Sequence, residues 1–140
     1  MAHSIQLIGE KAEAFNDLDL LVLVGLMISE LEHNAGEYSA LRPYIDIWSE
    51  SRFAYAPGVI DLRLNDAVSR AGGRDQLEQL LSAVERRLES FGEIVPASKL
   101  NSQWPVPGVT FHDYSTSLVE NAINKLKRLI KYSISPPTGQ

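Results

Sequence analysis

The chain has 140 residues, 13 Lys and Arg against 18 Asp and Glu, no cysteine, and a formal net charge of −5. That length suits one domain with a sizeable core, and 44% hydrophobic beside 22% charged residues excludes a wholly disordered chain. The lack of cysteine excludes disulfides, thiolate metal sites and cysteine nucleophiles, and it fits a reducing compartment, with cytoplasm as the expected location.

In chain order, the segment MAHSIQLIGEKAEAF has neither the basic start nor the apolar centre of a secretory signal, so residues 1–15 read as a weakly structured start. Leu18 to Ile28, LDLLVLVGLMI, follows. Only Asp19 and Gly25 interrupt its large apolar residues, which predicts a helix buried on all sides over 17–33, capped by Asn16 or Asp17. Eleven residues are too few for a membrane span, which needs about 20. Asn34 and Gly36 supply a helix stop.

Residues 37–42 read as a turn and 43–54 as a helix started by Pro43, with Tyr44, Trp48 and Arg52 or Tyr55 at helical spacing. Ala56-Pro57-Gly58 is a turn, and residues 60–64 alternate in a way that suits extended chain. Asn65 is placed to cap a short helix ending at Gly72-Gly73. Asp75 to Glu78 then reads as a capping box for an amphipathic helix that buries Leu77, Leu80, Leu81, Val84, Leu88 and Phe91. Pro96 suits the first turn of a brief helix to Leu100, and 101–114 is a loop rich in apolar and aromatic residues. Ser117 to Glu120 opens a final helix that buries Leu118, Ala122, Ile123, Leu126, Leu129 and Ile130, and 133–140 reads as a flexible tail. The fold class expected is all-α, or nearly so: a single domain over 1–140 of five or six helices around the buried helix at 17–33.

Chemical motifs are sparse. His3, His33 and His112 stand far apart without metal-ligand spacing, no nucleophile elbow or phosphate loop occurs, and neither metal nor cofactor is expected. His112-Asp113-Tyr114, with Trp104 in the same loop, is the one cluster where an acid–base pair or a ligand anchor is conceivable. Its competing reading is structural, with Asp113 bracing a helix and the aromatics packing. Lys125, Lys127, Arg128 and Lys131 suggest a nucleic-acid contact, but positive charge in the last turns of a helix also complements its dipole.

Charge is uneven: residues 1–66 hold eleven acids against four bases, and 67–140 nine bases against seven acids. An acidic half steers basic partners and repels phosphate backbones. A non-enzymatic binding or inhibitory protein is therefore the expectation, with Glu30, Glu32, Glu37, Asp46 and Glu50 as candidate interface residues. The alternatives are a small enzyme or ligand-binding regulator built on 101–114, and a helical module that meets nucleic acid through its C-terminal basic helix. In overall profile, though in no motif, the chain resembles bacterial immunity proteins. The resemblance implies direct binding of a cognate, nuclease-like basic toxin; no membrane association is expected, because no segment is long enough to span.

Overall fold

The computed structural model describes residues 2–132. It is 62% helical, with six α-helices and two small antiparallel sheets of two strands each, so it is mostly helical without being purely all-α. The tail expected at 133–140 lies outside the described residues.

The start of the chain departs from expectation. His3–Ile8 (β1) and Lys11–Asn16 (β2) form an antiparallel hairpin across Gly9-Glu10, with Ile8 opposite Lys11 and His3 opposite Asn16. Gly9 takes the positive φ that such a tight turn requires. Strand alternation sends Ser4, Gln6 and Ile8 inward and leaves Ile5 and Leu7 exposed.

Asp17–His33 (α1) occupies the expected span, capped by Asn16, whose side chain accepts the N–H groups of Leu18 and Asp19. Every residue from Leu20 to Met27 is buried, and α1 contacts α2, α4 and α6. Two single turns of 3-10 helix, Ala35–Glu37 and Ser39–Leu41, replace the simple turn expected there. They lead into Tyr44–Phe53 (α2), preceded by Pro43 at φ −61°.

Residues 59–62, which follow the turn at Gly58, form no ladder with β1. The polar inner face of the strand holds them instead. Ser4 Oγ accepts from Ile60 N–H (3.0 Å), Gln6 Nε2 donates to Ile60 O (2.7 Å), and Gln6 Oε1 accepts from Leu62 N–H (3.0 Å). Trp48 Nε1 donates to Leu62 O (2.9 Å) from the other side, so these buried backbone groups are satisfied by side chains.

Leu64–Ser69 (α3) starts after Arg63, the one described non-glycine residue at positive φ. Asn65 is therefore inside α3 rather than capping it, and its Oδ1 accepts from Gly9 N–H at the hairpin turn (2.7 Å). Gly73–Phe91 (α4) begins two residues before the expected capping box, after Gly72 in the left-handed conformation, so Asp75 lies in its first turn. Leu77, Leu80, Leu81, Val84 and Leu88 are buried as expected, while Phe91 is half-buried.

Ile94–Val95 (β3) pairs with Tyr114–Ser115 (β4), and Ala97–Gln103 (α5) lies between them. Pro96 is the cap of α5, not its first turn. Thr116–Tyr132 (α6) starts one residue before Ser117, because Thr116 is fixed by its Oγ1–H to Gly92 O (2.8 Å) and its N–H to Glu93 O (3.0 Å). That start turns Leu118 outward to 44% exposure, contrary to the expectation of burial, and puts Val119 in the core.

Candidate functional site

Pro43 fixes the entry of α2, and helical periodicity then divides it into two stripes. Tyr44, Trp48 and Arg52, four residues apart, are buried. Asp46, Glu50 and Phe53 share the opposite side, where Asp46 and Glu50 are exposed and Phe53 stands 76% in solvent, and the half-buried Ser49 lies between the two stripes. A phenyl ring this open beside two carboxylates contributes nothing to the core.

Next to this stripe lies a cleft of about 590 Å³ between the C-terminal end of α1, the last turns of α2 and residues 103–105. Ser29, Glu32 and His33 line it from α1, Ser49, Arg52 and Phe53 from α2, and Trp104 closes a further side. The wall is well ordered by hydrogen bonds. His33 Nδ1–H donates to Ser29 O (2.7 Å), and the Asn34 side chain donates to Glu30 O and Glu30 Oε2. Arg87 reaches across from α4. Its Nη1 donates to Ser29 Oγ (2.9 Å) and sits 3.7 Å from Glu30 Oε1, while its guanidinium lies over the Trp104 ring at 5.2 Å.

Four of the five acidic candidates, Glu32, Glu37, Asp46 and Glu50, are exposed. Glu30 is not free in the same way, because it is paired with Arg87. Glu32, Asp46 and Glu50 border one region through the cleft and the outer stripe of α2. Glu37 faces a separate shallow pocket with Tyr38, Glu78 and Arg86. There the Tyr38 phenol is pushed up by burial first, then by the charges of Glu37 and Glu30, against the opposing charge of Arg86.

The alternative cluster does not assemble. Trp104 is 8% exposed and belongs to the cleft wall, whereas Asp113 Oδ1 accepts from Ala97 N–H (2.8 Å), the first amide of α5. His112 is exposed, and Tyr114 donates its hydroxyl to Asp19. Burial, and then that bond, hold the Tyr114 phenol well above its usual range, while burial raises Asp19 in spite of the bond. The loop itself is clamped by Asn101, which donates to Phe111 O (2.8 Å) and accepts from Phe111 N–H (2.9 Å).

Three of the four basic residues of α6 are likewise occupied, and Lys131 is exposed. Lys125 donates to Ala14 O and lies over the Phe15 ring, Lys127 pairs with Glu85, and Arg128 lies 3.8 Å from Glu13. Among the described residues no group of three or more His, Asp or Glu side chains is arranged to hold a metal, and no helix is long and apolar enough to cross a membrane.

Two features escape a reading of the sequence. One is the buried Asp17, 2% exposed, which accepts Ser4 Oγ–H (2.6 Å), Tyr55 O–H (2.8 Å) and Gly58 N–H (2.8 Å). The other is Arg52, whose helical spacing marks it as inward-facing but does not reveal what it meets there. Comparison with protein-family models, curated proteins and solved structures finds no match for the chain.

Proposed function

We propose that this protein is a partner-binding inhibitor of the immunity type, which docks on a basic protein surface through the outer stripe of α2 and the end of α1. The observation that carries this reading is Phe53, an aromatic side chain 76% exposed on the same side of α2 as Asp46 and Glu50, beside Glu32. Aromatic anchors ringed by polar groups are the usual energetic centre of a protein interface. Carboxylates around such an anchor speed encounter with a cationic partner. A nuclease-like toxin offers such a surface, since its substrate cleft is lined with lysine and arginine to hold phosphates. Covering that cleft would block the substrate without any chemistry by the inhibitor.

The test is association with the toxin-like product of a neighbouring gene, measured at low and at moderate salt. Complex formation that weakens at least about tenfold for Phe53→Ala, and associates more slowly for Asp46→Lys/Glu50→Lys, is the expected outcome. Binding that ignores all three substitutions would move the interface elsewhere. An absence of complex at low salt would overturn the reading, because steering is strongest there.

A further inference from the structure

Arg52 is 8% exposed, yet none of its partners carries a charge. Nε donates to Leu21 O in the second turn of α1 (3.0 Å), and Nη2 donates to Trp104 O (2.5 Å). Among the described residues no carboxylate comes within ion-pair distance of it. Buried cations are ordinarily matched by an anion, since neutral carbonyls recover only part of the lost hydration. The third nitrogen, Nη1, has no protein partner among the described residues. It is not sealed in either: Arg74 Nε is the one described side-chain atom buried without a partner, and Arg52 lines the 590 Å³ cleft. The guanidinium is also preorganised, lying where a Cβ on Gly25 would come within 3.0 Å of it.

We propose that the floor of this cleft is a carboxylate-binding site, in which Arg52 receives the acid group of a small organic acid or of a partner chain. Guanidinium is suited to this task by its fixed, planar set of donors and weak hydration. The other charges of the cleft define the ligand further. Arg87 is already engaged by Ser29 and Glu30, and Glu32 and His33 stand on the walls, so the unbalanced positive charge is at the floor. Glu32 disfavours a dianion such as phosphate, which selects a monoanion. Trp104 and Phe53 offer apolar surface to the rest of the ligand, so an acid with an aromatic body fits better than acetate. This inference goes beyond partner docking, because a free acid would serve the site as well as a protein carboxylate.

The probe is benzoate, titrated into the nitrogen-15-labelled protein at constant ionic strength, with acetate, phosphate and chloride as comparisons. The Arg52 Nε and Trp104 Nε1 resonances report the site. Trp48 Nε1, held on Leu62 O, is the internal control. Saturable shifts of the first two with benzoate, half-complete at about 1 mM or below, are expected, with acetate weaker and chloride inert. A peptide binding tighter with a free C-terminal carboxylate than with an amidated one would assign the site to a protein partner. Benzoate binding tighter than both peptides would assign it to a small acid. Removing Arg52 risks the fold, so the decisive variant is Ser49→Glu. It places a carboxylate three residues before Arg52 on the cleft side of α2, and it should raise the melting temperature and abolish the benzoate response. No saturable response to any carboxylate, an equal response to chloride, or an unchanged benzoate response in Ser49→Glu would each overturn the proposal. None of these measurements involves a toxin, so their failure and that of the docking reading are separable.

Discussion

Arg52 lies flat against Gly25: a Cβ at position 25 would meet the guanidinium carbon and Nη2 at 3.0 Å and the Trp104 Cβ at 3.2 Å. In a free helix alanine would gain about 1 kcal/mol over glycine. Here the neighbours have little room to yield, because two hydrogen bonds pin the guanidinium and Trp104 is fixed in the core. Gly25→Ala is expected to lower stability by about 1–3 kcal/mol in urea denaturation. The loss should shrink in an Arg52→Leu background, since the clashing group is then gone.

Gly73 gives a sharper case with a built-in comparison. A Cβ there would stand 1.9 Å from the Ala67 carbonyl oxygen, a backbone atom that cannot move without shifting α3. Gly73→Ala should destabilise by more than about 3 kcal/mol, or prevent folding. Gly36, where nothing lies within 4 Å of a Cβ, should accept alanine within about 0.5 kcal/mol. Equal melting temperatures for the two variants would refute the close approach of Gly73 to the Ala67 carbonyl of α3.

Asp17 sets the acid limb of stability. Burial raises its pKa, but the bonds from Gly58 N–H, Ser4 and Tyr55 outweigh burial and hold the carboxyl below its ordinary value. A depressed folded-state pKa means that the unfolded chain binds the proton more readily, so this contribution is complete above the ordinary carboxylate pKa of about 3.9. It is lost as pH falls through the folded-state value. Asp17→Asn should cost about 2–4 kcal/mol at pH 7 and flatten the decline of stability below about pH 4. The same network pushes the Tyr55 phenol up to about 12, with burial as the first cause and the Asp17 bond as the second. An alkaline absorbance titration of the folded protein should accordingly show Tyr55 silent at pH 10.

The Asn101 clamp predicts a local rather than a global effect. Its amide satisfies both backbone groups of Phe111, so Asn101→Ala leaves two groups unpaired and should cost about 1–3 kcal/mol. Hydrogen exchange at the Phe111 amide should accelerate more than at amides of α1.

Helices were the legible part of this fold. The apolar run from Leu18 to Ile28 located α1, and a 3.6-residue period assigned the inner faces of α4 and most of α6. Helix starts were less legible, because tertiary contacts displaced the local capping signals: Thr116 is anchored by Gly92 and Glu93, and Gly72 starts α4 ahead of Asp75. The hairpin was hidden for a different reason. Its inner face carries Ser4 and Gln6 while Ile5 and Leu7 point to solvent, the reverse of a strand that buries its apolar side. Its second strand, KAEAFN, is built largely of good helix formers.

At the candidate site, the acidic bias of the first half pointed to Glu32, Asp46 and Glu50, and helical spacing placed Arg52 inward. What no local pattern carried was the exposure of Phe53, which depends on where α2 ends. Nor could it carry the neutral surroundings of Arg52, which come from residues 31 and 52 positions away in the chain.

The side-chain stitching of Ser4 and Gln6 to Ile60 and Leu62 bears on the order of assembly. A two-stranded hairpin normally completes itself within microseconds from neighbouring residues, but this one leaves the Gln6 amide with no mate, and the Ser4 hydroxyl with Asp17 alone, until chain 54 to 56 positions downstream arrives. Its consolidation must await closure of that long loop, which makes the docking of 58–62 onto β1 a natural late event in refolding, after the three long helices have condensed.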